Sequence, residues 1–392
     1  MLVYRKGFLG ICLLFQIEGS ALPRALLPAL VMTSIGVLCT ALFSDELQRR
    51  SSDPLEEGWL LHPYPASIFV FLLGFLLVFR TNLSYARYME ARTHVASMNS
   101  KWSDAYAFAI AFSMSPAHTR GEAESMAHRD EFARELMYKL SLLHGLALLL
   151  LRDDHDLRNL VLVNASAPLA DNVSEQHSAA RDSGCWCRWS WVARSLGFSY
   201  YSYRAISQTK LPILAPSSSC GVDTKDAIGH AQHDALIHTL SSAHPPVRTS
   251  HAMTDLLVLL ERARARDLLS KSAPTDTRIV QVLSDGYLGF NQALKISTTP
   301  FPFAYAQLSV ALLVVFTGFI PVLLASLVLD TTLLAILCFI SGLFYWAIHE
   351  VAREVEDPFR YAPNHLPLEE QQDFNRRLMS SYTFLSAHAE GT

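Results

Sequence analysis

Residues 71–92, FLLGFLLVFRTNLSYARYMEAR, pass without a break from an apolar helical run into a dense polar one. Phe71, Phe75 and Phe79 recur every fourth residue, which sets three aromatic rings on one face of a helix. Val70, Gly74 and Val78 make a second face of small side chains, the kind that lets helices in a bilayer approach closely. Arg80, Asn82, Tyr85, Arg87, Glu90 and Arg92 follow within about three turns. Such a run is too polar for hydrocarbon, so the helix leaves the membrane near Phe79. An aromatic stripe at this spacing also fits a face packed in a core or against lipid; the rest of the chain decides between the readings.

Working outward, the apolar content is both high and clustered. Half of the 392 residues are hydrophobic (51%) and only 17% are charged, a low charged fraction for a water-soluble domain. Residues 25–43, ALLPALVMTSIGVLCTALF, are uncharged over about 19 positions, enough to cross a hydrocarbon core of roughly 30 Å. Between this helix and the next, residues 44–62 carry Asp45, Glu46, Asp53, Glu56 and Glu57 against Arg49 and Arg50. An acidic loop of this kind belongs on the side away from the cytoplasm. Trp59 and Tyr64 fit an interfacial aromatic belt, and Pro63 and Pro65 suit the start of a helix. A third span is expected over about 303–328, kinked at Pro321, and a fourth, TTLLAILCFISGLFYWAI, over 331–348, the two forming a hairpin. His349, Glu350, Arg353, Glu354, Glu356 and Asp357 then mark a second polar exit, on the side that carries Arg5, Lys6 and Lys295. The fold class expected is an all-α membrane protein with four transmembrane helices continuing into a cytosolic helical bundle.

The division that follows has an interfacial N-terminal segment at 1–24 and transmembrane helices 1 and 2 within 25–79. Cytosolic helices at 80–151 and 251–297 flank a loop-rich insertion at 152–250; transmembrane helices 3 and 4 occupy 298–350, and a cytosolic C-terminal segment 351–392. LLHGLALLLL at 142–151 is fully apolar for only about ten residues and is flanked by charge, so it reads as a buried bundle helix rather than a fifth span. The insertion is rich in Ser, Ala, His and Asp, a composition suited to long, poorly ordered loops. Its triplets Asn164-Ala-Ser166 and Asn172-Val-Ser174 fall on the cytoplasmic side in this topology and are read as chance. His230, His233 and His238 share a helix face without a completing Cys or Asp, and Cys185-Trp-Cys187 lacks the two-residue gap of zinc and redox pairs. No metal or cofactor is therefore assigned, and six scattered cysteines make no disulfide framework. A net charge of −4 argues against a nucleic-acid partner. Arg262, Arg264 and Arg266 form a basic cluster, read as a solvated face or, beside a vestibule, as an anion-concentrating one.

Three motifs, in order, resemble those of the bestrophin family in its bacterial, plant and algal branch. FRTNLSYARYMEAR is similar to the signature F-R-x-N-x-S/C-Y-x-R-(W/Y)-x-E-A/G-R, which falls here on Arg80, Asn82, Tyr85, Arg87, Glu90 and Arg92. Ile296-Ser-Thr-Thr-Pro-Phe-Pro-Phe-Ala-Tyr305 looks like I-x-x-T-P-I/F-P-x-x-Y, with Pro300, Pro302 and Tyr305 at its fixed positions. Glu354-Val-Glu-Asp-Pro-Phe359 is similar to E-x-E-x-P-F, which falls on Glu354, Glu356, Pro358 and Phe359, and Leu366-Pro-Leu368 matches the tail of the non-animal members. The likeness covers 19–150 and 251–385 and leaves about 150–250 without a counterpart, so no residue is named for the family's cytosolic constriction. It implies a homopentameric ion channel in a lipid bilayer, of the plasma or the chloroplast thylakoid membrane, with Phe71, Phe75 and Phe79 at the neck. The acidic run that binds calcium in animal members is replaced here by Arg360-Tyr-Ala-Pro-Asn-His365, which speaks against a calcium clasp.

Five such helices around an axis would stack three aromatic rings at intervals of about 6 Å. Uncharged walls can gate by dewetting. The positive edges of aromatic rings, the helix N-terminus after Pro65 and backbone amides all favour a dehydrated anion, so chloride and other monovalent anions are expected to pass, bicarbonate among them. The charged signature beyond the neck is expected to be structural, with Arg80, Arg87, Glu90 and Arg92 pairing with Glu350, Glu354 or Glu356. A cation-passing channel of the same fold and a non-conducting scaffold are the alternatives, and no triad or metal spacing indicates an enzyme.

Overall fold

A computed structural model describes residues 20–52, 63–113, 122–163, 211–215, 224–269, 273–328, 330–359, 366 and 369–390. Residues 1–19 of the N-terminal segment, Trp59, both Asn triplets, the Cys185/Cys187 pair, the 360–365 stretch and Pro367-Leu368 lie outside them, as does the His230 side chain. Among the described residues the helices are α1 (Leu22–Ser52), α2 (Pro63–Ser113), α3 (Glu122–Leu151), α4 (Thr224–Ser241), α5 (Pro245–Ala265), α6 (Ala273–Thr298), α7 (Phe303–Leu327), α8 (Thr331–Glu356) and α9 (Glu369–Glu390). A short parallel pair joins β1 (Leu160–Val163) to β2 (Leu211–Leu214), in register Leu160 to Leu211. Four helices are long and apolar enough to cross a membrane: Leu22–Leu42 of α1, α2, α7 and α8.

The chain divides into two compact units. The first takes its described residues from Met1–Met89 and Thr299–His365. Here α1 packs on α7 and α8, around a core of Met32, Leu73, Leu77, Leu313, Phe316, Leu334 and Cys338. Small residues permit the close approach: a Cβ on Gly342 would sit 3.1 Å from Ala29 Cα, and one on Gly36 would sit 3.0 Å from Cys338 Sγ. Hydroxyls in these helices donate back to the carbonyl one turn earlier, as Thr33 does to Ala29 and Thr317 to Leu313, both at 2.8 Å, which satisfies those hydroxyls within their own helices. Asp330 caps α8, its carboxylate accepting from Thr332 N at 2.9 Å, which explains the tight α7–α8 hairpin.

The second unit comprises the described residues of Glu90–Asp182, Arg204–Thr298 and Leu366–Thr392. Its centre is α3, whose Leu140, Leu143, Ala147 and Leu151 are fully buried and which packs on α5, α6, α9 and β2. The apolar run at 142–151 is therefore an interior helix of this unit. Trp102 on α2 is completely buried, and its Nε1 donates to Leu283 O at 3.3 Å on α6.

Two boundaries differ from expectation for physical reasons. The segment expected as an acidic loop at 44–62 is helical as far as Ser52, since Glu, Leu, Gln and Arg prolong a helix after hydropathy has ended. Within 152–250, α4 and the start of α5 are regular helices where loops were expected. Ala227, Ala231 and Ala235 recur at helical spacing, and His233 and Leu240 are buried seven residues apart, a pattern muted by the polar residues around it. Helix α2 runs 51 residues because no Gly or Pro follows Gly74 before Ser113.

Candidate functional site

One face of α2 in the first unit carries large apolar side chains that no neighbour covers. Phe71 is 73% exposed, Phe75 66% and Phe79 47%, while Leu73 and Leu77 on the opposite face are buried in the core. The rings of Phe75 and Phe79 stack with centroids 6.3 Å apart and planes 15° from parallel. Tyr64 and Ile68 precede them on the exposed surface, and Asn82, Tyr85, Ala86 and Met89 continue it beyond the polar exit. The column ends on a ring cluster: Phe79 meets Tyr305 at 6.3 Å, Tyr305 meets Phe301 edge-on at 5.8 Å, and the Arg80 guanidinium lies over Phe301 at 5.5 Å.

Arg80 is 3% exposed, one residue past the last phenylalanine. Its Nη2 donates to Glu356 at 2.9 Å and its Nη1 lies 3.1 Å from His349 Nδ1, so α2 and α8 are tied together where both turn polar. Arg24 of α1 donates to Glu354 at 3.1 Å, and Arg353 meets Glu350 at 2.8 Å. Arg87 donates to the carbonyl of Thr299, immediately before the Pro300-Phe-Pro302 segment, and Pro302 is the N-cap of α7. Two buried residues, Pro358 and Phe359, follow α8.

The signature residues thus divide. Arg80 and Glu356 come together, as do Arg87 and Thr299, with Tyr305 and Phe79 beside them. Glu90 lies 3.7 Å from His94 one turn on, Asn82 and Tyr85 are exposed, and Arg92 belongs to the second unit. Of the three arginines and one glutamate expected to pair with the α8 acids, Arg80 meets Glu356 at 2.9 Å. Arg24, Phe301 and His349 complete the cluster and were missed as members of it. Charge inside an apolar helix start, as at Arg24, was the available signal for the first. His233 is buried and its Nδ1 lies 3.0 Å from the Tyr138 hydroxyl, an ordinary interior hydrogen bond. Among the described residues no group of three His, Cys, Asp or Glu is placed to hold a metal. Arg262 and Arg266 are exposed at the end of α5, and Arg264 pairs with Glu261 at 2.8 Å.

Four membrane-capable helices, one of them running on into a helical unit with charged residues gathered at the exits, define an integral membrane protein. The family model described as "Bacterial/Fungal Bestrophin protein" matches residues 2–378, and the chain belongs to that family. Among solved structures, a bacterial bestrophin homologue from Klebsiella pneumoniae is similar at 18% identity and a TM-score of 0.56, covering 91% of this chain and 97% of that one. A tryptophan-to-alanine variant of the same homologue is similar at 16% identity and a TM-score of 0.58, with 93% and 98% covered. No curated protein matches the chain at a significant level.

Proposed function

We propose that the protein is a bestrophin-type channel for chloride and other small monovalent anions, bicarbonate included, assembled as a homopentamer in a lipid bilayer. The observation that carries this reading is the uncovered column of Phe71, Phe75 and Phe79, 73%, 66% and 47% exposed on a helix that packs through Leu73 and Leu77. Five copies of that face around an axis make a neck with aromatic walls and no fixed charge, which conducts when wetted and closes when dry. Such walls offer an anion the positive ring edges and give it no strong site from which it cannot leave. At the inner end, Arg80 is held by Glu356 and His349 behind the last ring, so the charged signature sets helix geometry at the exit while the neck stays apolar.

The test is a reversal potential. Purified protein in a planar bilayer under a sodium chloride gradient should reverse on the chloride side of zero; reversal on the sodium side would replace this reading with a cation channel of the same fold.

A further inference from the structure

A hydrogen-bond chain in the second unit, buried except at its partly exposed end Glu370, needs one proton more than a neutral imidazole and a carboxylate supply. His144 on α3 is 0% exposed, stacked on Phe374 of α9 at 4.2 Å and met edge-on by Trp102 at 6.1 Å. Its Nδ1 faces Gln371 Oε1 and its Nε2 faces Asn99 Oδ1 at 2.5 Å. Both partners are oriented by what lies behind them. Gln371 Nε2 donates to Ser141 O at 3.0 Å and Pro212 O at 3.2 Å, two carbonyls that can only accept, so its Oε1 is fixed toward His144 and demands a proton on Nδ1. Asn99 Nδ2 donates to the Glu370 carboxylate, which turns its Oδ1 to His144 and demands a proton on Nε2 as well. A neutral imidazole has only one N–H. The contacts are therefore satisfied in two ways: imidazolium with carboxylate, or neutral imidazole with protonated Glu370 and the Asn99 amide turned over, so that Glu370 donates to Oδ1 and Nδ2 donates to Nε2. Each has one shared proton. With none, one contact sets acceptor against acceptor between the buried Asn99 and the partly buried Glu370, where an unsatisfied group costs part of its desolvation.

We propose that His144 and Glu370, linked through Asn99, form a binding site for a single proton, and that this proton locks α9 onto α2, α3 and β2. The charged groups that bear on the pair are Arg152 on α3, Arg92 on α2, and Asp373 and Arg377 on α9. Burial pushes His144 down to about 4, opposed by its Gln371 hydrogen bond and reinforced by Arg152. Burial also pushes Glu370 up, reinforced by Asp373 and opposed by Arg92, Arg377 and Asn99. Both directions place the proton on Glu370. Released to water, an imidazole and a carboxyl titrate at about 6.5 and 4.5. Between those values docked and undocked forms each hold one proton, and docking is indifferent to pH. Above 6.5 the undocked form has lost its proton, and for as long as the hydrogen bonds of the docked form retain theirs the lock weakens by up to about tenfold per pH unit. Below 4.5 the undocked form holds two, and the lock weakens again.

Hydrogen-exchange protection factors of the α9 amides, measured on the full chain in nanodiscs between pH 6.5 and 8.0, test this. Wild type should lose up to about 30-fold in protection across that interval. Glu370→Gln carries the donor permanently and should stay protected with no slope. Glu261→Gln, an exposed carboxylate on α5 outside the chain of bonds, should keep the wild-type slope. A flat wild type, a Glu370→Gln variant that retains the slope, or a Glu261→Gln variant that loses it would overturn the proposal. None of these readouts depends on conduction, so the proton lock and the channel reading stand or fall separately.

Discussion

Arg80 ties the polar end of one membrane-capable helix to another. Its guanidinium is almost wholly buried, over the Phe301 ring and against Glu356 and His349. Replacing it with alanine removes the partner of an acid only 17% exposed, and breaking a buried pair on one side costs about 3 kcal/mol or more. Arg80→Ala should therefore unfold at a clearly lower temperature in detergent, while Arg80→Lys, which keeps the charge and loses the planar fork, recovers part of the difference. Equal unfolding temperatures for wild type and Arg80→Ala would show the pair to be idle. Arg80 was legible in the sequence as a membrane exit because charge after an apolar run has one physical meaning. His349 as its partner was not, since proximity across 269 positions leaves no local pattern. The same holds for the proton site. His144 sits inside LLHGLALLLL, and its only sequence trace is polar residues at helical spacing in otherwise apolar faces, Ser141 with His144 and Gln371 with Asn375.

At the scale of the element, membrane crossing is written in length and hydropathy, which is why the apolar parts of α1, α2, α7 and α8 stand where the sequence puts them. Helix continuation is a separate matter, governed by propensity and by the absence of Gly and Pro, and the hydropathy trace carries no sign of α1 reaching Ser52. Close helix contacts depend on single glycines. On α6, a Cβ at Gly286 would sit 2.5 Å from Nε1 of the buried Trp102. Gly286→Ala must therefore displace the indole or the helix, and the expected loss is about 1–3 kcal/mol, visible as a lower unfolding temperature and a shifted tryptophan emission. An unchanged spectrum and stability would mean that Trp102 is not seated as described.

For the whole molecule, the fold class was within reach because three motifs and four apolar runs agree, and agreement across independent features specifies a fold better than any one of them. The assembly is another matter: an exposed phenylalanine on one subunit looks the same whether it awaits lipid, a neighbour or water. The proposed channel requires that it face water at an axis. The most direct measurement is the unitary current of Phe75→Ala beside wild type in symmetric sodium chloride, with the reversal potential of each read in a sodium chloride gradient. Removing the middle ring of a dewetting neck widens it, and a barrier lower by about 1.4 kcal/mol corresponds to a current larger by about tenfold. A clear increase with anion preference retained is the predicted result; currents indistinguishable from wild type would contradict it and leave the three phenylalanines facing something other than the path of the ion.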